Sequence, residues 1–184
     1  MAAMPTIAFI PPSFKDRAAI VPILQIIAAA CPPSEFSPAP GKSRMTNHWV
    51  LYLMTGEGSA VRLDMSPTGA EDGSGCLIVS KLDGGIPTEE VVKSCVVSLA
   101  DGATVNILLG VIRDAGHDRY KFSPAGVGCR YWILRTVTLF REKQLATSAA
   151  EAEALFAALE TVWENDAIRM SEKEQTGMDR GCSY

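Results

Sequence analysis

Histidine is scarce in this chain, with only His48 and His117 among 184 residues. Its five cysteines, Cys31, Cys76, Cys95, Cys129 and Cys182, are scattered, odd in number and never spaced CxxC. A zinc site would need ligands from distant segments, and a disulfide framework is not indicated. No metal and no cofactor is expected. Basic residues are in the minority, 17 against 21 acidic, giving a formal net charge of −4. Binding driven by counterion release needs a basic face, so nucleic acid is not expected as a partner. No apolar run reaches the ~20 residues of a membrane-spanning helix. The longest, residues 18–31, is broken by Pro22 and Gln25, and Lys15, Asp16 and Arg17 precede it, which makes a poor signal sequence. A cytoplasmic, reducing location is the expectation. The phosphate-cradling, HExxH, GxSxG and EF-hand patterns do not occur.

Against these absences stand 47% hydrophobic and 21% charged residues, enough for one domain with a core of its own. Residues 5–10 suggest a short strand, and 15–30 an apolar helix capped near Ser13. The Pro- and Ser-dense stretch 31–44 reads as a linker or arm. Residues 1–45 thus form an N-terminal helix and arm, 46–170 the compact domain, and 171–184 a polar, frayed tail.

Within the compact part the punctuation is regular. Residues 47–54 (NHWVLYLM) and 59–65 (SAVRLDM) flank a Thr-Gly-Glu-Gly turn and predict a hairpin. Further strands are expected at 76–82, 91–99 and 119–122. Thr104 caps a helix to Ala115 with Val105, Leu108, Leu109 and Ile112 on one face. The loop SPAGVG feeds a helix over 129–145, and Thr147-Ser148 caps a last helix over 149–170. The fold class is α+β, an antiparallel sheet with packed helices.

Two short motifs carry chemistry. In NHW, period-two geometry puts His48, Val50 and Tyr52 on one strand face and Trp49 on the other. On the returning strand Arg62 and Asp64 share a face, and either could meet His48, since one step of register swaps faces. In GCRYW, Cys129 begins a helix after a glycine loop, where free N–H groups and the helix dipole favour a thiolate. The set amounts to a thiol catalyst: Cys129 as nucleophile, His48 as base, Asp64 to orient the imidazole. The plain alternative is a small buried cysteine and a satisfied structural histidine. Trp49, Tyr131 and Trp132 are either core or an aromatic wall for substrate. With Tyr52, Arg62 and Arg130 they complete the candidate substrate-binding residues. His117, in a polar turn, is read as a solvated loop residue.

The hairpin NHWVLYLMTGEGSAVRLDMSP resembles the histidine-bearing hairpin of the lecithin:retinol acyltransferase-like proteins, in which H-W-A-x-Y-x-G returns as V-x-H-L-x-x-P. Residues 122–132 and the following helix resemble that family's second signature, a loop running into N-C-E-H-F. The family is a circular permutation of the papain-like, NlpC-type amidases, with the histidine strand ahead of the cysteine helix, the order found here. The resemblance spans about residues 46–145. It implies a permuted papain-like core, with His48 matching the catalytic histidine and Cys129 the nucleophile. The second family histidine has no counterpart; Arg62 or Leu63 takes its place. Gly128 replaces Asn, and Arg130-Tyr131-Trp132 replaces Glu-His-Phe. The chain is also similar to a fungal branch sharing NHWxLYL and GCRxW, which implies a setting in secondary metabolism.

Three functions follow as expectations. The first is a cysteine-dependent hydrolase or acyltransferase acting on an amide, ester or thioester of a small molecule. The second is a non-covalent cyclase or isomerase using His48 and Asp64 as acid and base, with Arg62 or Arg130 holding an anion or carbonyl. The third is a non-catalytic binding domain, its arm docked on another chain or its apolar 18–30 segment supporting a homodimer.

Overall fold

The structure is a computed structural model and describes residues 7–8, 21–39, 42–56, 58–171, 175 and 177–184. Its strands are β1 (Ile7–Ala8), β2 (Gln25–Ala39), β3 (Lys42–Gly56), β4 (Ser59–Pro67), β5 (Ser74–Asp83), β6 (Lys93–Ser98), β7 (Arg119–Lys121) and β8 (Cys182–Ser183). Among the described residues three α-helices, α1 (Val105–Asp114), α2 (Cys129–Glu142) and α3 (Ala149–Leu159), complete the α+β fold. The sheet runs β6-β2-β3-β4-β5-β7-β8, every neighbour antiparallel, and β1 adds to β5 in parallel. No helix among the described residues is long and apolar enough to cross a membrane.

The main core forms where one sheet face meets the helices. Ile26, Ala28, Trp49, Leu51, Leu63 and Leu77 pack there against Leu108, Ile112, Trp132, Ile133, Phe140 and Leu155. The opposite face carries a smaller cluster of Ala29, Val50, Tyr52 and Ala60, against which Leu82, Ile86 and Val91 pack. Strand alternation sorts the two sets, so His48, Tyr52, Arg62 and Asp64 belong to the face away from the helices.

The hairpin β3–β4 and helix α1 lie where the sequence places them, and Thr104 caps α1 by accepting from the Ile107 N–H. The expected helix over 15–30 is corrected: its described part, Gln25 to Ala30, is strand, while residues 15–20 lie outside the described residues. β2 is an interior strand, paired with β3 on one side and β6 on the other and covered on both faces. Such a strand reads as an unbroken apolar run, the same signal as a buried helix. The small residues suit the register, since Ala30 lies opposite Trp49.

The arm is corrected as well. Residues 31–39 continue β2 and pair with β3, with a bulge between Ala30 and Pro33. Pairing with β6 stops at Ala30, so Pro32 and Pro33 meet no strand on that side that would require their missing N–H. Helix α3 ends at Leu159, not near 170. The tail is tied down: Cys182 and Ser183 pair with β7, and the side chain of Gln175 bonds the backbone of Val162 and Met170.

Candidate functional site

β3 and β4 part company near one end. Their pairing runs from Gly56↔Ser59 to Leu51↔Leu63 and goes no further, although β3 stays on β2 and β4 stays on β5. The Leu24 N–H donates to the Met54 carbonyl, so even-numbered residues of β3 bond toward β2 and odd-numbered ones toward β4. Beyond Leu51 the N–H of Trp49 and the carbonyl of Asn47 therefore face a fork with no strand to meet them. The start of α2 fills it. Cys129 Sγ lies 3.9 Å from the Asn47 carbonyl oxygen and accepts from the Trp49 N–H.

Into the same fork come His48 and Asp64. His48 Nε2 is 2.7 Å from Asp64 Oδ1, and a further hydrogen bond joins the imidazole to the Cys129 thiol. Asp64 also accepts from Arg62 Nη2 at 2.7 Å and from Ser66 Oγ at 2.8 Å. Asp64 touches His48, and Arg62 stands behind Asp64.

The electrostatics favour a thiolate–imidazolium pair. Burial opposes charge on Cys129, but the His48 hydrogen bond and charge, the Trp49 N–H and the Arg130 guanidinium together hold its pKa below the ordinary 9.0. Burial likewise opposes a charged His48, yet Asp64 and Cys129 push it up from 6.5 to about 10. Asp64 is held below its usual value against burial by His48, Ser66 and Arg62. The first turn of α2 contains no acidic residue, and its N-cap Gly128 offers no side-chain acceptor, so the sulphur meets the positive end of the helix uncompensated. Cys129 is 8% exposed, whereas the His48 side chain is 33% exposed.

The mount of Cys129 depends on long-range contacts. Gly128 sits at φ +155°, and a Cβ there would approach the Tyr120 hydroxyl to 3.1 Å. Tyr120 donates that hydroxyl to the Gly128 carbonyl at 2.9 Å and accepts from the Gly181 N–H, joining the tail to the cysteine loop. Arg130, buried, donates to the carbonyls of Leu159 and Gly177.

Most of the other residues expected to bind substrate lie within the fold. Trp49 and Trp132 lie in the main core, the latter donating its indole N–H to the His117 carbonyl at 2.7 Å. Tyr52 is buried in the smaller cluster, and Arg130 is a clamp between segments. Tyr131 is half-buried beneath the Arg180 guanidinium. His117 is buried, not solvated, and burial lowers its pKa.

Asn47, Ser66 and Tyr120 organise the site without having been singled out. Asn47 is fully buried and donates to the Cys31 and Trp163 carbonyls at 2.9 Å each, while its Oδ1 accepts from the Trp163 N–H at 2.7 Å. Its position beside His48 in NHW was the available signal. A cavity of about 390 Å³ lies between Pro67, Asp72, Phe122, Ser123, Pro124 and Gly126. It adjoins Ser66 and the cysteine loop in sequence, but Cys129, His48 and Asp64 do not line it. No group of three or more His, Cys, Asp or Glu among the described residues is placed to hold a metal ion.

These features define an α+β domain with helices on one sheet face and a Cys-His-Asp cluster in the β3–β4 fork. The chain belongs to the family described as Domain of unknown function (DUF7770), whose model matches residues 26–182. No curated protein and no solved structure matches it.

Proposed function

We propose that the protein is a cysteine-dependent acyl-transfer enzyme, a hydrolase or acyltransferase acting on an amide, ester or thioester. One observation carries the reading: three elements converge so that Cys129, His48 and Asp64 are hydrogen-bonded in series, with the thiol at a helix N-terminus. The thiolate attacks the carbonyl carbon, and the imidazolium gives its proton to the leaving atom. Water or an amine then attacks the thioester, its proton passing to His48 as the thiolate departs. The first-turn amides of α2 are the available donors for the oxyanion. The order of histidine strand before cysteine helix supports a permuted papain-like core, with Asp64 in the orienting role.

A second reading draws on the exposures, because His48 is more open than Cys129. In it His48 and Asp64 perform acid–base chemistry on a bound metabolite without covalent capture, a cyclisation or isomerisation. Single substitutions separate the two. In a screen against activated esters and amides, Cys129→Ala and His48→Ala each abolish turnover under the first reading, with the far-UV circular dichroism unchanged. Turnover that survives Cys129→Ala but not His48→Ala selects the second.

A further inference from the structure

Arginine and carboxylate match as two parallel forks, and a lone pair of them makes two hydrogen bonds. At Asp64 this match is blocked. Oδ1 is occupied by His48 Nε2 and Ser66 Oγ, so Arg62 reaches only Oδ2, through Nη2. Arg62 Nε is buried and has no partner, an unmet donor of a kind that proteins seldom leave. The Arg62 side chain as a whole is 32% exposed, close to the value for His48 on the same sheet face. Its cross-strand neighbours, Tyr52 on β3 and Ser80 on β5, bring no negative charge. The other acid of this face, Glu90, is solvent-exposed and makes no ion pair with Arg62 among the described residues. Nε itself is closed to solvent, so the donors left for an incoming group are those of the terminal nitrogens, on a side chain two residues from the orienting carboxylate and bonded to it.

We infer that Arg62 is the specificity-determining residue of this site and selects acyl donors that carry a carboxylate a few bonds from the reacting carbonyl. The inference rests on the acyl-transfer reading and names its substrate class. The carboxylate stays bound at Arg62 while the C–S bond forms at the carbonyl carbon and the bond to the leaving heteroatom breaks. His48 supplies the proton that the leaving atom takes, so the remote group changes no bond. A planar carboxylate suits the guanidinium edge that Asp64 leaves uncovered.

A matched pair of alkylating reagents tests this on the full chain: N-bromoacetyl-β-alanine, an anion, and its neutral amide. Both react by the same displacement, in which the thiolate forms an S–C bond and bromide leaves with the electron pair. Rates at Cys129 are read by peptide mass, and the urea-unfolded chain sets the intrinsic ratio. The folded protein should prefer the anion by about tenfold or more over that ratio, the scale of one charge-assisted hydrogen bond. Arg62→Gln should bring the preference back to the unfolded value, and Arg62→Lys should keep part of it. A wild-type ratio equal to the unfolded one overturns the inference, whether or not the variants fold; so does a preference that persists in folded Arg62→Gln. Fast, His48-dependent labelling without preference leaves the thiol reading standing. Slow labelling by both reagents, indifferent to His48→Ala, removes the thiol reading and this inference with it.

Discussion

Replacing Asp64 with Asn keeps the shape of the side chain and removes one charge, which isolates what the carboxylate does for His48. The amide has one acceptor oxygen and one donor nitrogen, so it cannot accept from both sides as Asp64 does. Its better orientation keeps oxygen toward His48 and Ser66 and turns NH2 toward Arg62 Nη2, replacing a 2.7 Å hydrogen bond with a donor–donor contact. The imidazole then keeps a neutral acceptor and loses the facing charge. An opposite charge at this range shifts a pKa by roughly 1–3 units, so His48 should fall from about 10 toward ~7–9. The Cys129 thiolate loses part of its cationic partner, and its pKa should rise. In iodoacetamide labelling followed by intact mass, the onset of fast reaction should move to higher pH. At pH 7 the rate should fall, by about tenfold for each pKa unit that the thiol rises above that pH. A profile that superimposes on the wild type would show that Asp64 neither charges nor orients His48.

Linkage gives a second expectation. His48, raised when folded, adds stability that is complete below pH 6.5 and withdrawn as pH climbs to about 10. Cys129, lowered when folded, adds stability present above 9.0 and lost as pH falls through its folded value. Where pH lies above both 6.5 and the folded value of Cys129 and below 9.0, the two slopes cancel, because folded and unfolded chains each hold one proton on the pair. Urea midpoints should therefore show a plateau from this pair that is lost on either side and absent in the Cys129→Ala, His48→Ala double variant; a slope across that window, removed by the double substitution, would refute the ion pair. Asn47→Ala strips partners from a buried and a half-buried carbonyl and from one buried N–H and should cost about 3–5 kcal/mol in urea unfolding, whereas less than about 1 kcal/mol would deny it that role. Gly128→Ala should lose about 1–3 kcal/mol to its positive φ and to the crowding of Tyr120, with slower Cys129 labelling; an unchanged midpoint would contradict this.

What the sequence makes legible is local. The β3–β4 hairpin, the Thr104 cap of α1 and the cysteine at the start of α2 each rest on residues within a few positions of one another. The identity of His48, Asp64 and Cys129 was readable because alternation and helix starts are short-range rules. Three features were not. β2 is hidden because a strand buried on both faces carries no alternation. Helix α3 looks longer in sequence because Leu155, Leu159 and Val162 keep helical spacing. There the Val162 and Trp163 N–H groups bond Gln175 Oε1 and Asn47 Oδ1, while the Leu159 carbonyl accepts from Arg130. The tail reads as polar because it is held by backbone pairing and by single contacts such as Ser123 Oγ to Asp179 Oδ2. Arg130 and Trp132 looked like substrate residues because a helix start near a nucleophile is the usual place for them. Their partners, the carbonyls of Leu159, Gly177 and His117, come from parts of the chain that no local pattern connects to them.

The central claim is an activated thiol, and the rate of iodoacetamide labelling at Cys129 across pH tests it most directly, in wild type and in His48→Ala. The account predicts fast labelling well below pH 9.0 in the wild type. In His48→Ala it predicts a loss of about 100-fold or more at pH 7, because burial then raises the thiol with no imidazolium to oppose it. Slow labelling in both proteins, with the same dependence on pH, would contradict the account and leave Cys129 a structural residue.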